Sequence, residues 1–192
     1  PEVADKTITL MSPSKTYNLA GLNFGYAIIS NDALRRIWKN TSLGIVPGVN
    51  IMGHVAALAA LRDGQEWLDQ VMVYLQGNRD YMAKFIREKM PAIRMCKMEA
   101  TYLAWLDCKE AGISGNRAEF FLERAHVGLN NGPDFGKGGE GFVRLNFACP
   151  RKTLAEALDR MAAAINELQA IHPSWRQRGQ ALDKLQRCRH HE

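Results

Sequence analysis

The chain has 192 residues, of which 46% are hydrophobic and 23% charged, and a formal net charge of +5. This composition is ordinary for a soluble globular protein, and the length allows one domain or one and a half. No apolar run is long enough to cross a membrane, and the first six residues, PEVADK, lack the character of a signal peptide. We therefore expect no membrane partner.

The positive charge does not predict a nucleic-acid partner. An exposed basic end is typical of a solvated tail rather than a binding arm, and we expect no nucleic acid among the partners. The basic residues are spread along the chain, and they are densest in the last stretch, which contains Arg176, Arg178, Lys184, Arg187 and Arg189.

The cysteines predict neither a disulfide framework nor a metal site. The chain has four, widely spaced and without a CxxC pair: Cys96, Cys108, Cys149 and Cys188. In a chain of this length, the pattern favours free thiols in a reducing cytoplasm. We expect a cytoplasmic protein without a metal ion.

Two strand-like runs open the chain, at residues 7–10 and 24–30, and the segment SPSKTYNLAGL at 12–22 lies between them. Lys15 lies in this loop, between strands that we expect to be buried, and hydroxyl side chains flank it. Such a lysine suits an amine that holds an aldehyde cofactor, because burial and neighbouring cations lower the pKa of an amine. Nearby hydroxyls can bind a cofactor phosphate. By spacing alone the signal is weak, since a lysine at a strand end is usually solvated.

Helices dominate the next part of the chain. The pattern predicts a helix over 32–38 capped at Asn31, a loop over 42–50 and an alanine-rich helix over 51–61. A long amphipathic helix follows and stops at Pro91. Its apolar stripe is typical of a core rather than of a cofactor site, and consists of Leu68, Val71, Met72, Leu75, Met82, Phe85 and Ile86.

Strands and helices then alternate. Two capping boxes are predicted, one from Asn116 and Glu119 and one from Thr153 and Glu156. The predicted elements are strands at 93–98, 102–106, 127–130 and 141–147, and helices at 116–125 and 154–168.

Arg144 lies in the middle of the last predicted strand, on the face opposite Val143 and Leu145. Its apolar neighbours predict that it is partly buried, and a buried arginine needs an anion. The sequence pattern allows two kinds of anionic partner for Arg144. One is an internal salt bridge, to Glu140 or Glu99 for example. The other is a substrate carboxylate, whose two oxygens match the planar guanidinium.

The glycine-rich run at 136–141 is not a phosphate loop. It lacks the Walker spacing and leads into a strand instead of a helix. We interpret it as a connection that lets the backbone come close to the active site.

The order of elements predicts the fold class. Helices that alternate with strands indicate an α/β or α+β chain. The two strands at the start have no sequence partners large enough to cover them, and a strand pair alone is not stable. We therefore expect the first part of the chain to be the end of a larger sheet domain whose beginning is absent.

Three segments resemble a known family. The run SPSKTYNLAGL at 12–22 is similar to the cofactor-lysine segment of the class I/II aminotransferase-like enzymes, which are fold-type I enzymes that use pyridoxal 5'-phosphate (PLP). The runs ATYLAWLDC at 100–108 and FGKGGEGFVRLNFACP at 135–150 are similar to the C-terminal domain of its cystathionine β-lyase (C–S lyase) branch. The resemblance spans residues 6–168.

This resemblance implies an α/β chain that consists of the end of a PLP-dependent transferase-like large domain and an α+β C-terminal small domain. We expect residues 1–75 to be the remnant of the large PLP-binding domain. Residues 76–170 are then the small domain, and residues 171–192 a basic tail.

The resemblance also implies roles for four residues. Lys15 holds PLP and is the catalytic base. Ser12, and more weakly Ser14, bind the PLP phosphate, although the alternative for each serine is a turn-forming hydroxyl. Arg144 binds the α-carboxylate of a small amino-acid substrate. The complete enzyme is expected to be a homodimer, with the loop at 42–50 reaching toward the neighbouring subunit.

The chain departs from the family pattern in three ways. Many aminotransferases have an arginine eight residues after the lysine, and this arginine binds the cofactor phosphate. The corresponding residue in this chain is Asn23. The C–S lyase branch commonly lacks the arginine too, so Asn23 favours a lyase. Ala100 stands where the family usually has glycine. The glycine-rich phosphate loop, the aromatic that stacks on the pyridine ring and the Asp that pairs with its nitrogen cannot be assigned here.

The resemblance therefore predicts a PLP-dependent C–S β-lyase that releases a thiol, pyruvate and ammonia from cysteine conjugates such as cystathionine. Two alternatives stay open. One is a PLP-dependent aminotransferase that uses the same residues, and the other is a truncated, non-catalytic fragment. Because part of the cofactor pocket cannot be assigned, we expect this chain alone to bind PLP weakly or not at all.

Overall fold

A computed structural model gives the fold and describes residues 3–171. The chain divides into two compact units, Pro1–Met72 and Val73–Glu192, and each is described by itself. The predicted basic tail lies outside the described residues apart from Ile171. The division into a large-domain remnant and a small domain stays a prediction.

The first unit contains a two-stranded antiparallel sheet and helices. Strand β1 (Thr9–Met11) pairs with β2 (Tyr26–Ile28), with Thr9 opposite Ile28. The helices that follow are α1 (Asp32–Ser42), α2 (Ile51–Asp63) and the start of α3 (Gln65–Lys89). Single 3₁₀ turns occur at Ala4–Lys6 and Ala20–Leu22.

Asparagine side chains begin two of these helices. The side chain of Asn31 accepts a hydrogen bond from the backbone N–H of Leu34 at 3.0 Å, which confirms the predicted cap of α1. Asn50 accepts from Gly53 N at 2.7 Å and caps α2 in the same way. Each cap satisfies a backbone N–H that has no partner inside the helix.

The expectation that the first two strands are buried is wrong for this chain. All three residues of β1 are exposed, and β2 is at most half-buried. The physical reason is that, within residues 3–171, this sheet consists of two strands, and a strand pair has too few neighbours to bury its faces. The buried apolar side chains of the unit include Ile29 and Ala57.

The second unit is built on a four-stranded antiparallel sheet with the order β3-β4-β6-β5. Its strands are β3 (Arg94–Met95), β4 (Leu103–Asp107), β5 (Asn130–Asn131) and β6 (Phe142–Asn146). Its helices are the rest of α3, α4 (Arg117–Ala125) and α5 (Arg151–Ile171), and a 3₁₀ turn covers Gly132–Phe135.

The core of the second unit lies where one sheet face meets the helices. Alternate strand residues point into it, as the pleat requires. Apolar residues of α3 and α5 supply much of the rest; of the stripe predicted for α3, Met82 and Ile86 are buried, whereas Met72 is exposed. The core includes Ala104, Leu106, Val143, Leu145, Met82, Ile86, Phe121, Leu154, Leu158, Met161 and Ile165.

Of the two predicted capping boxes, the first forms its asparagine cap and the second is wrong. Asn116 accepts from the N–H groups of Ala118 and Glu119 at 3.0 and 3.2 Å and caps α4. Helix α5 begins at Arg151, so Thr153 lies inside its first turn instead of at its start. The helix starts directly after Pro150, whose carbonyl accepts the N–H of Leu154 at 3.1 Å.

In residues 3–171, none of the helices combines the length and the apolar character needed to cross a membrane.

Candidate active site

The predicted lysine lies in a tight turn of the first unit. Backbone hydrogen bonds from Tyr17 N to Pro13 O and from Leu19 N to Ser14 O, both 2.9 Å, wind the chain around Lys15. Pro13 is buried and anchors the turn, whereas the side chain of Lys15 is exposed. Within the described part of the chain, the amine of Lys15 has no carboxylate partner.

The two predicted serines lie in the same turn and contact each other. The Oγ atom of Ser12 is 2.6 Å from both the Oγ of Ser14 and the carbonyl oxygen of Phe24, and it accepts the N–H of Ser14 at 3.1 Å. These contacts show the turn-forming role that was one of the two alternatives. An unpaired primary amine with two hydroxyls on one turn is also a donor set that fits a phosphate-bearing aldehyde.

The backbone conformation at position 23 favours asparagine. Its φ is +51°, in the left-handed region, where it ends the 3₁₀ turn Ala20–Leu22. Asparagine adopts this conformation more readily than arginine. The Nδ2 of Asn50 donates to the carbonyl oxygen of Leu22 at 2.8 Å, so the end of the lysine segment is tied to the start of α2.

Arg144 lies at the centre of β6 in the second unit and is half-buried, as predicted. Its Nε and Nη2 donate to the Oδ1 of Asn130 at 3.3 and 3.1 Å. Its guanidinium carbon lies 4.2 Å from the centre of the Phe135 ring. Its surroundings are therefore an amide and an aromatic face.

The internal salt bridge considered for Arg144 is not formed. Glu140 instead accepts the N–H of Gly138 at 3.0 Å, and Glu99 pairs with Lys97 at 2.7 Å. Across residues 3–171, Arg144 forms no ion pair with any carboxylate. Its positive charge therefore has no compensating protein group in the described chain.

A row of aromatic rings adjoins Arg144, and the sequence reasoning missed it. Trp105 is the cross-strand partner of Arg144. Its ring stacks on Phe142 at 5.5 Å and meets Phe135 edge-on at 5.6 Å. Lys109 lies over the other end of the row, 4.3 Å from the centre of the Phe142 ring. The alternation of side chains along a strand predicts that Phe142 and Arg144 share a face. It does not predict that Trp105 pairs with Arg144 across the sheet.

The glycine-rich run allows a close approach of two backbone segments. A Cβ on Gly132 would lie 2.6 Å from the carbonyl oxygen of Phe142 and closer still to that of Gly139. Gly136 and Gly138 have φ values of +108° and +95°, which favour glycine. This approach fixes the 3₁₀ turn that carries Phe135.

The predicted site residues thus fall into both units. Lys15, Ser12 and Ser14 lie together in one turn of the first unit, and Arg144 lies in the second. In the described residues, no three His, Cys, Asp or Glu side chains are grouped to hold a metal ion.

Comparison with known proteins identifies the family. The model of the family described as aminotransferase class I and II matches residues 1–161. The chain belongs to the aminotransferase class I and II family. Its relatives place it in the cystathionine β-lyase (C–S lyase) branch, and the predicted α/β fold class is confirmed.

Three relatives illustrate the branch. The chain is 37% identical over 168 residues to cystathionine beta-lyase PatB of Bacillus subtilis, covering 86% of this chain and 43% of the relative. The PLP-bound C-S lyase of Staphylococcus hominis has a TM-score of 0.77 at 37% identity, covering 84% and 42% of the two chains. Cystalysin of Treponema denticola, which contains PLP, has a TM-score of 0.80 at 30% identity, covering 87% and 43%. The chain therefore spans less than half the length of these relatives.

Proposed function

We propose that the protein to which this chain contributes is a PLP-dependent C–S β-lyase, which releases a thiol, pyruvate and ammonia from cysteine conjugates such as cystathionine. The observation that carries the proposal is the uncompensated charge of Arg144, half-buried and held by neutral groups on the sheet. Such a guanidinium suits the α-carboxylate that every amino-acid substrate presents. The likeness to cystathionine beta-lyase and C-S lyase relatives supports the reaction type.

The residues of the lysine turn would hold the cofactor. Lys15 would bind the aldehyde of PLP through its amine, with the hydroxyls of Ser12 and Ser14 near the phosphate. When bound, PLP supplies an electron-accepting ring that stabilises negative charge on the substrate Cα.

Lys15 and Arg144 have complementary tasks in this proposal. Arg144 binds the substrate carboxylate by two parallel N–H bonds and so orients the Cα–H bond. Lys15, once its amine is free, takes the proton from Cα as a general base. The thiol is lost from the neighbouring Cβ, and hydrolysis of what remains gives pyruvate and ammonia.

An aminotransferase is the second candidate, because it shares Lys15 and Arg144 and the family bears that name. Asn23 favours the lyase. An arginine there would place a further cation eight residues after Lys15, whereas the left-handed backbone at Asn23 suits a short polar side chain. A homodimer and a cytoplasmic location are part of the same proposal.

The test is to supply L-cystathionine to a protein that contains this chain and the remaining length of its relatives. A lyase forms pyruvate and free thiol in equal amounts without an added keto acid. An aminotransferase forms neither, and exchanges amino groups only when a keto acid is present. The second result would overturn the lyase proposal.

Replacing the lysine tests its role in the same assay. We expect Lys15→Ala to lower kcat by about a hundredfold or more, because the general base is lost. Lys39→Ala is the matched control, since Lys39 is an exposed lysine of α1 in the same unit. A Lys15→Ala protein with the kcat of Lys39→Ala would contradict the assignment of Lys15.

A further inference from the structure

We propose that Asn130 is a positioning residue for Arg144: it orients the guanidinium toward a substrate carboxylate without neutralising its charge. The inference rests on the proposed role of Arg144 and adds a residue to it.

Asn130 occupies one edge of the Arg144 guanidinium. Asn130 and Arg144 are opposite each other in the pairing of β5 with β6. The Oδ1 of Asn130 accepts from both Nε and Nη2, at 3.3 and 3.1 Å. Arginine has five N–H donors, so these bonds leave the edge formed by Nη1 and Nη2 for a ligand. A carboxylate can bind that edge with two parallel bonds.

Phe135 fixes the plane of the guanidinium. Phe135 covers one face at 4.2 Å, a cation–π contact that fixes the tilt of the group. Phe135 is itself held edge-on against Trp105 at 5.6 Å. With one edge bonded to Asn130 and one face on Phe135, the remaining edge has a defined direction. A defined direction lowers the entropy lost when the ligand binds.

Asn130 leaves the positive charge of Arg144 uncompensated. An amide oxygen orients a guanidinium as an acceptor but carries no net charge. A carboxylate at the same position would keep both hydrogen bonds and would also pair with the cation. It would then compete with the α-carboxylate of the substrate. Asparagine at position 130 therefore orients the guanidinium and leaves its charge available to the substrate, whereas aspartate would neutralise that charge.

Asn130→Asp is the decisive variant, tested in the protein of the lyase assay with L-cystathionine. We expect KM to rise at least about tenfold, since the new carboxylate competes for the cation, while kcat changes less and the urea midpoint is equal or higher. Asn146→Asp is the matched control. It adds the same charge to the same face of β6, but the side chain of Asn146 accepts from Ala148 N instead of from Arg144. We expect its KM to change less than about threefold.

A purely structural role for Asn130 would give a different KM for Asn130→Asp. If Asn130 only joined β5 to β6, aspartate would keep the bonds and KM would not move. An Asn130→Asp protein with the KM of Asn146→Asp would therefore overturn the inference. Arg144→Lys separates this failure from failure of the proposed function. If Arg144→Lys raises KM and Asn130→Asp does not, only the role of Asn130 fails; if neither does, the role of Arg144 fails as well.

A second readout uses the 192-residue chain without cofactor or substrate. The Nε–H resonance of Arg144 in the ¹⁵N-labelled chain is identified by its absence from Arg144→Lys. We expect Asn130→Ala to speed the solvent exchange of this proton at least about fivefold, because its acceptor is removed. We expect Asn130→Asp to retain the slow exchange. An unchanged exchange rate in Asn130→Ala would show that Asn130 does not hold the group.

Discussion

Asparagine side chains determine much of the local geometry of this chain. Asn31, Asn50 and Asn116 accept backbone N–H groups at helix starts. Asn23 supplies a left-handed residue after the lysine segment, and Asn130 orients Arg144. The same short amide therefore serves as a cap, a turn residue and a neutral partner for a cation.

Cys108 offers a test of burial at the level of one residue. It is fully buried at the end of β4, and burial raises the pKa of its thiol to about 12. We expect iodoacetamide at pH 8 to modify Cys96, which is exposed, at least about a hundredfold faster than Cys108, because the thiolate is the reactive form. Mass spectrometry of tryptic peptides measures both rates. Equal rates would contradict the burial of Cys108.

The same shift gives a pH dependence with a definite sign. Between the ordinary thiol pKa of 9.0 and about 12, the unfolded chain loses the Cys108 proton while the folded chain keeps it. The contribution of Cys108 to the free energy of unfolding is therefore fully present below pH 9. Above that pH it falls by up to about 1.4 kcal/mol per pH unit. Urea unfolding at pH 8 to 10.5 should show a shallower decline for Cys108→Ala than for the unchanged chain.

The site residues differ in how far the sequence can predict them. Lys15 and Arg144 were proposed from motifs and from the character of their neighbours, which are local properties. Asn130 and Phe135 were not, because their contacts with Arg144 depend on the β5–β6 register and on a turn held by Gly132 against Gly139. Register between strands is a tertiary property, so a single sequence gives little access to it.

At the scale of elements, apolar periodicity predicted most helices of the second unit. Of the stripe predicted on α3, Met82 and Ile86 are buried in the core, and Leu75 and Phe85 pack against it partly buried. The wrong start of α5 has a specific cause: the helix begins at Arg151, directly after Pro150 and two residues before the expected cap, and Arg151 N donates to the hydroxyl of Tyr74 at 2.6 Å. That partner lies on α3, distant in sequence, so a local motif could not indicate it.

Asn78 links α3 to the segment between β6 and α5. It is fully buried, and its Nδ2 donates to the carbonyl oxygens of Phe147 and Cys149 at 3.0 and 2.9 Å. Its Oδ1 accepts from the Nε of Arg151 at 2.7 Å. Three hydrogen bonds from one buried side chain therefore join a helix, a strand end and the start of a second helix.

We expect Asn78→Ala to lower the free energy of unfolding by about 2–4 kcal/mol, because two carbonyls and a guanidinium lose their partner. Urea denaturation followed by circular dichroism measures the change. Gln76→Ala is the control, since Gln76 is exposed on the same helix, and its cost should stay below about 0.5 kcal/mol. Equal costs for the two variants would show that the network does not stabilise the unit.

At the scale of the whole molecule, the exposed apolar side chains are concentrated in the first unit. Leu43, Ile45 and Ile51 are 83, 77 and 71% exposed. An apolar surface of this extent is uncommon on an isolated globular protein and favours association. The expected incomplete sheet domain pointed to uncovered strands. The exposed surface also extends along α2 and the 43–50 loop, the loop that the family resemblance expected to reach toward a neighbouring subunit.

This surface predicts how the 192-residue chain behaves alone. We expect it to bind the dye ANS and to scatter light increasingly with concentration. The double change Leu43→Glu and Ile45→Glu should lower ANS fluorescence at least about twofold without altering the far-ultraviolet circular dichroism. Leu122→Glu is the comparison, because Leu122 is an exposed apolar residue of α4 in the second unit. An equal loss of fluorescence in both proteins would contradict the assignment to the first unit.

Helix α3 has a practical consequence for anyone who wishes to prepare the second unit separately. The division between the units falls between Met72 and Val73, inside a helix that runs from Gln65 to Lys89. Cutting there exposes the N–H groups of a new first turn, which the residues upstream now satisfy. Recombinant design would therefore begin the polypeptide at Gln65, or place a serine or aspartate immediately before Val73 as a replacement cap.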